Sequence, residues 1–271
     1  MTEAGFAPAP LPSAVPGLDE GASVIGRSAE ADRVCAFISK ATTRLLVLSG
    51  EASSGKTMLV KRWLLPALEA SMGAEGYRIL YAPCAPGFPD GVALGDGEQR
   101  IEDLLARKSV IIVDEFDRVL DMARDERRVT LDLLFSRLHN ASRESVVVVV
   151  VSARNLTSVY GLSSYDPGIV NAVCILKSIG LSDGLTRPGS GHADASVTYT
   201  PAVLSALEEE VKQRGIDVSF DLLQLIHTRA QRFLRDTGKR VIDTEQYTAV
   251  GGLTGMLRGH LEQHLEELEA E

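Results

Sequence analysis

The chain has 271 residues, 45% of them hydrophobic and 24% charged, with a formal net charge of −9. That composition excludes a fibrous chain or wholesale disorder and allows one large or two small globular domains. The acidic balance argues against nucleic acid or an anionic membrane as the main partner, since both demand a basic surface. No apolar run approaches the roughly 18 residues of a membrane helix, so no membrane span is expected. Cys35, Cys84 and Cys174 are widely spaced and form no CxxC pair. Neither a disulfide framework nor a zinc site is readable, and a reducing compartment, the cytoplasm, is expected.

In chain order, residues 1–22 are rich in Pro and Ala and read as a flexible lead. Ser28 is placed to cap a first helix with Val34, Phe37 and Ile38 on one face. Arg44 to Ser49 is a continuous apolar run, the pattern of a strand buried on both faces. A glycine- and serine-rich loop follows, and then helical spacing from Lys56 to about Met72 through Leu59, Trp63, Leu64 and Leu68. Tyr77 to Ala82 predicts a second strand, Pro83 to Asp96 a surface loop, and Glu98 to Ala106 a short helix. Ser109 to Val113 is a third strand ending in Asp114. Asp125 to Asn140 is an amphipathic helix with Val129, Leu133, Leu134 and Leu138 on its apolar side. Ser145 to Val151 and Val173 to Leu176 complete five strands.

Strands alternating with helices predict an α/β fold, a doubly wound parallel sheet flanked by helices. Residues 181–200, polar and glycine-rich in their middle, read as a linker. Three helical pieces follow, about Pro201–Arg214, Phe220–Arg235 and Thr244–Glu269. The expected organisation is therefore a lead (1–22), an α/β core (23–180), a linker (181–200) and a small all-α domain (201–271).

Gly50-Glu51-Ala52-Ser53-Ser54-Gly55-Lys56-Thr57 satisfies G-x-x-x-x-G-K-[ST], between an apolar strand and a helix. The glycines let the main chain curl so that its N–H groups point at an anion, and the helix N-terminus adds its dipole. Lys56 supplies a positive charge to the β- and γ-phosphates, and the Thr57 hydroxyl is a ligand for Mg²⁺. Asp114 stands at the C-terminal tip of a strand, on the rim where open α/β sheets bind ligands, and is placed to hold the Mg²⁺ shell. Glu115, next along, is a candidate general base toward water.

If the strand ending in Ser152-Ala153-Arg154-Asn155 lies between the first and third strands, its tip faces the γ-phosphate. Arg154 is then the first choice of sensor, since a guanidinium grips phosphate oxygens bidentately. Gly26 and Arg27 precede the first helix and are candidates to approach the base or phosphates. Asp117 and Arg118 read as a pair on a helix face. His260 and His264, four residues apart, read as a polar helix face rather than a metal site.

The stretches SGEASSGKTMLVKRWLLPALEA, VIIVDEFDRVLD and VVVVVSARN resemble the novel STAND NTPases of prokaryotes, signal-transduction ATPases with numerous domains. The Leu64–Leu68 tail of the P-loop helix and the VIGR lead at Val24–Arg27 belong to the match. So does the C-terminal IDTEQYTAVGGLTGMLRGHLEQHLEEL, where a tyrosine and two glycines precede a long helix.

The resemblance implies a Mg²⁺-dependent switch, closed with ADP and opened for self-association by ATP, in which 201–271 acts as a lid. It carries P-loop and Mg²⁺ roles onto Lys56, Thr57 and Asp114. Where many relatives have glutamine, this chain has Glu115, which favours hydrolysis. Where they have an acidic pair, it has Asp117-Arg118. The chain leaves little room for the sensor and effector domains such proteins carry, which implies either a truncated form or a minimal member that works with separate sensor or effector proteins. Two other readings stay open: an AAA+-like ATPase acting on DNA, and a scaffold that binds nucleotide without hydrolysing it.

Overall fold

The computed structural model describes residues 26–40, 44–85, 87–94, 97–162, 170–186 and 197–259, with the side chains of 91–98, 160–162 and 170–171 left aside. The lead at 1–22, Val24 and Ile25, the middle of the linker, and His260 and His264 lie outside the described residues.

The first helix, α1 (Ser28–Ile38), buries Ala31, Val34 and Ile38. Its cap position is Arg27, with no capping side-chain bond, so Ser28 stands one residue inside the helix rather than before it. Strand β1 (Leu45–Gly50) is buried at every position. The P-loop helix runs as α2 (Lys56–Leu59), a π-turn (Val60–Leu64) and α3 (Leu65–Met72). Pro66 explains the wide turn, because it has no N–H to donate one turn back.

Strand β2 (Arg78–Pro83) follows. Then comes an antiparallel hairpin, β3 (Gly91–Leu94) with β4 (Gly97–Arg100), where the sequence suggests loop and helix. Four-residue strands of mixed composition carry little propensity signal, and their pairing is made only in the fold. The helix itself, α4 (Ile101–Leu105), starts where Ile101, Leu104 and Leu105 fall on one buried face.

Strand β5 (Ser109–Asp114) leads into α5 (Asp117–Leu120) and α6 (Arg124–Asn140). The buried face of α6 is Leu131, Leu134, Phe135 and Leu138. Val129, expected on that face, is 66% exposed, because 131/134/135/138 is the better i, i+3, i+4, i+7 stripe.

Strand β6 (Ser145–Ser152), helix α7 (Leu156–Leu162) and strand β7 (Val170–Leu176) complete the α/β part. The five long strands form one parallel sheet in the order β2-β5-β6-β1-β7. Alternate residues feed two cores: Leu46, Leu48, Val148 and Val150 on one face, Leu45, Val47, Val147 and Val149 on the other. This is the α/β architecture expected, and β6 does lie between β1 and β5.

The remainder is mostly helical. Helix α8 (Leu181–Thr186) occupies the start of the segment read as a linker. Its Leu181 and Leu185 are buried, and Gly184 lies so close to Leu223 that a methyl group would meet it at 2.6 Å. Apolar residues one turn apart thus overrule the polar look of that segment. Strand β8 (Thr198–Tyr199), helices α9 (Pro201–Gln213) and α10 (Phe220–Thr237), strand β9 (Val241–Ile242) and helix α11 (Thr244–Ala249) follow. Strands β8 and β9 pair in parallel. Val203, Leu207, Leu223, Ile226, Ala230 and Leu234 bury the helical faces in a cluster continuous with one side of the sheet.

The expected single helix from Thr244 is two helices, α11 and α12 (252–259). Asp243 caps α11, its carboxylate accepting from the N–H groups of Glu245 and Gln246. Gly251 and Gly252, at φ +83 and +62, make the break. Tyr247 then bridges the joint, its hydroxyl donating to Glu210 at 2.7 Å and accepting from the Leu253 N–H at 3.1 Å. A methyl group at Gly255 would lie 1.9 Å from the Val250 carbonyl. The tyrosine and glycines quoted above are therefore the parts of a corner.

Candidate nucleotide-binding site

The tips of β1, β5 and β6 converge because the strands are parallel and adjacent, and Gly50 is the register partner of Ser152. From Gly50 the chain turns through the loop, where Ser53 (φ +52) and Gly55 (φ +80) take left-handed backbone. Gly55 also leaves no room for a side chain, since a methyl group there would sit 2.6 Å from the Phe220 ring.

Thr57, in the first turn of α2, donates its hydroxyl to Asp114 Oδ2 at 2.8 Å. Asp114 is only 4% exposed and takes two further bonds. Tyr81 of β2 donates its hydroxyl to Oδ2 at 2.9 Å, and the Glu115 N–H donates to Oδ1 at 2.9 Å. The P-loop threonine and the strand-end aspartate, far apart in sequence, are therefore in contact. Burial pushes the Tyr81 hydroxyl well above the ordinary tyrosine range, and the negative Asp114 adds to it. Tyr81 therefore acts here as a neutral donor.

The Lys56 ammonium is half-buried and donates to the carbonyls of Gly50 (2.9 Å) and Glu51 (2.8 Å) in its own loop. Burial lowers its pKa, while the negative charges of Asp117, Asp114 and Glu51 act in the opposite direction, Asp117 most strongly. Ser54 Oγ is buried under the loop and has no hydrogen-bond partner among the described residues. A flexible cation resting on carbonyls and an orphaned hydroxyl suit a loop built around an anion. Thr57 and Asp114 offer the hard oxygen ligands that Mg²⁺ selects.

The other expected residues are placed as follows. Gly26 is buried, and Arg27 is 1% exposed, with its guanidinium donating to the carbonyls of Ser54 (2.7 Å) and Lys177 (3.3 Å). Arg27 thus ties the underside of the P-loop to the end of β7. Glu51, Ala52 and Ser53 are exposed, whereas Ser54 and Gly55 are buried. Glu115 has left-handed backbone (φ +57), and its carboxylate pairs at 2.5 Å with Arg118, both half-exposed. Arg154 is 68% exposed and pairs with Asp121 at 2.8 Å. Neither side chain is joined to the Thr57–Asp114 contact in this structure.

Asp117 and Arg118 do not pair with each other. Both carboxylate oxygens of Asp117 accept from the Ser152 N–H, at 3.0 and 2.9 Å, and Oδ1 accepts from the Asn155 amide at 2.7 Å.

Two residues at the site escape sequence reasoning, Tyr81 and Phe220, while Asp117 is expected on a helix face with Arg118 and has Ser152 and Asn155 as partners instead. Tyr81 lies within β2, and only the parallel pairing of β2 with β5, which sets Tyr81 opposite Ile112 and Pro83 opposite Asp114, brings it to the aspartate. Phe220 opens α10; its N–H donates to the Ser53 carbonyl at 2.8 Å, and its ring lies 5.5 Å from the Arg27 guanidinium. A cavity of about 480 Å³ opens beside this contact, lined by Arg27, the loop at 51–54, Ser178, Ile179 and residues 217–220. It adjoins the outer side of the loop, away from Lys56, Thr57 and Asp114.

The solved structures of the Aeropyrum pernix ORC2 protein in its ADP form and in its ADPNP–ADP complexes share the fold, with TM-scores of 0.53 and 0.51 at 16% and 15% identity. They are covered over 67% and 68% of their length by 87% and 84% of this chain. The A. pernix ORC1 protein in complex with DNA has a TM-score of 0.50 at 17% identity, with 88% of this chain covering 66% of that one. The chain thus spans about two thirds of these proteins. No curated protein is similar enough in sequence to match. The family model described as Novel STAND NTPase 1 matches residues 19–271. A P-loop joined to its aspartate, on a parallel sheet with a helical remainder, agrees with that match, and the chain belongs to the novel STAND NTPase 1 family.

Proposed function

We propose that the protein is a Mg²⁺-dependent ATP-binding and ATP-hydrolysing switch of the STAND type. The observation that carries this reading is the 2.8 Å bond between Thr57 and Asp114 beneath the P-loop. In this reading, Gly50 to Thr57 cradle the phosphates by their main-chain N–H groups. The Lys56 ammonium leaves the carbonyls of Gly50 and Glu51 for the β- and γ-phosphates. Thr57 and Asp114 hold Mg²⁺, whose chemistry is to neutralise charge developing on the transferring phosphoryl group. The cavity between Arg27, the loop and residues 217–220 takes the nucleoside.

Glu115 is the proposed base that orients water toward the γ-phosphorus, and Arg154 a sensor of that phosphate. Both roles require each residue to leave its present ion pair, which at half-exposed positions costs about 1 kcal/mol or less. Residues 201–271 act as a lid, since Phe220 bonds to the loop that holds the phosphates. Nucleotide-dependent self-association, or assembly with separate sensor and effector proteins, is the proposed output. The free thiols of Cys35, Cys84 and Cys174 support a cytoplasmic setting.

Turnover of ATP by the purified chain tests this reading. Lys56→Ala should weaken nucleotide binding, and Glu115→Gln should keep binding and slow turnover about 100-fold, as expected when a general base is lost. A wild-type protein that neither binds nor hydrolyses ATP rejects the reading; equal turnover in the glutamine variant removes Glu115 as base.

A DNA-acting ATPase is the second reading, favoured by the fold shared with the DNA-bound ORC1 protein. Arg232, Arg235, Lys239 and Arg240, at and just after the end of α10, are exposed basic residues that this reading would use. Salt-dependent binding of duplex DNA supports it, and no binding at low salt rejects it.

A further inference from the structure

We propose that Asp117 is a positioning residue for the terminal phosphate: it holds the tip of β6 against the P-loop, so that the site distinguishes a nucleoside triphosphate from a diphosphate. The inference rests on the nucleotide reading above and adds a residue to it.

The argument starts from the sheet. β6 lies between β1 and β5, so its tip is the centre of the rim, with the P-loop on one side and Asp114 on the other. Ser152 is the register partner of Gly50, whose carbonyl holds the Lys56 ammonium. The end of β6 is therefore next to the lysine that reaches the β- and γ-phosphates. What fixes that end is Asp117. Its two oxygens receive the Ser152 N–H in a forked bond, and its Oδ1 receives the Asn155 amide. Asn155 donates as well to Asp121 Oδ1 at 3.1 Å, and Asp121 Oδ2 holds Arg154.

One carboxylate thus anchors a chain of polar groups running from the strand tip to the residue expected to sense phosphate. Of the acidic groups acting on the Lys56 ammonium, Asp117 acts most strongly. A carboxylate so near a bound triphosphate would repel it unless its charge were taken up by donors. The forked Ser152 N–H and the Asn155 amide do this, and they leave Asp117 as a brace rather than a phosphate ligand. Movement of this brace shifts the group that faces the third phosphate and leaves the loop around the first two unchanged.

Asp117→Asn tests the idea because it keeps the shape but sets an NH₂ group against the Ser152 N–H or the Asn155 amide. Affinities for ADP and for the non-hydrolysable triphosphate adenylyl imidodiphosphate are measured with Mg²⁺ by calorimetry, beside kcat and KM for ATP. The expected result is an ADP affinity within about twofold of wild type and a triphosphate affinity about tenfold weaker, the scale of one lost charge-assisted bond. Turnover should fall by at least as much.

Equal losses for the two nucleotides, or no loss for either, overturns the proposal. Asn155→Ala, which keeps the aspartate and its bond to Ser152, should move the triphosphate-to-diphosphate ratio in the same direction by a smaller factor. It decides the matter if the first variant does not fold, and an unchanged ratio in it overturns the proposal. A wild-type protein that binds neither nucleotide rejects the underlying site instead, a result distinct from either of these.

Discussion

His227 is 3% exposed on α10, and neither ring nitrogen has a hydrogen-bond partner among the described residues. Burial alone pushes its pKa down to about 4. A neutral histidine is tolerated there, whereas an imidazolium must be desolvated without compensation. Unfolded, the group titrates near 6.5. Between about pH 6.5 and 4 the unfolded chain therefore binds more protons than the folded one, and stability falls as pH falls through that window. The loss from this one group between pH 7.5 and 4.5 is about 2–3 kcal/mol. Denaturant unfolding of His227→Leu beside wild type at the two pH values reads it directly: the variant should lose less stability by that amount. Parallel losses in both proteins reject the assignment. At the same scale, the Lys56 ammonium is held by two carbonyls of its own loop, those of Gly50 and Glu51.

At the scale of elements, the informative pieces are joints. The π-turn at Val60–Leu64 lets a helix pass through Pro66 without stopping. The corner between α11 and α12 depends on Gly251, Gly252, Gly255 and the Tyr247 hydroxyl. That hydroxyl serves two partners, the Glu210 carboxylate on α9 and the Leu253 N–H at the start of α12. Tyr247→Phe leaves the buried N–H unsatisfied and the carboxylate without its donor, a cost of about 1–3 kcal/mol. In a domain of this size about 2–4 °C of melting temperature accompanies each kcal/mol. A drop of about 3–10 °C in Tyr247→Phe is expected in a thermal melt, and an unchanged midpoint would show that the corner is held by the glycines alone.

Taken whole, the helical remainder shares a core with one face of the sheet, and the opening of α10 meets the P-loop through Phe220, with Arg27 beside the ring. On the proposed reading, a ligand held by the loop stabilises the helical remainder as well as the sheet. At a nucleotide concentration one hundred times Kd the linkage gain is about 2.7 kcal/mol. Melting of wild type with Mg²⁺ and ATP or ADP should rise by about 5–10 °C. Lys56→Ala should show a much smaller rise at the same concentration; equal shifts in both proteins would place the ligand elsewhere.

Much of this was legible in the sequence. Apolar runs bounded by turn residues point to five strands; β1, β5 and β6 are buried almost throughout, because a parallel sheet covered by helices leaves no polar side to its central strands. The glycine spacing of Gly50 to Thr57 points to a tight loop opening a helix, and the structure has it, with Gly55 in left-handed backbone before α2. The family could be read from the residues around that loop, from the aspartate strand and from the tyrosine–glycine corner.

Four things were decided only by the tertiary structure. The hairpin of β3 and β4 exists through pairing that four-residue strands do not signal. Helix α8 forms because Leu181 and Leu185 find a buried neighbour, and the exposure of Val129 reflects which stripe of α6 met the sheet. Asp117 illustrates the fourth: its partner Ser152 is far along the chain, and only strand order places them in contact. Periodicity and motif report what a segment does with its own backbone and one face. Which distant group completes a carboxylate's bonds follows from how the segments stack, and local sequence holds no record of that.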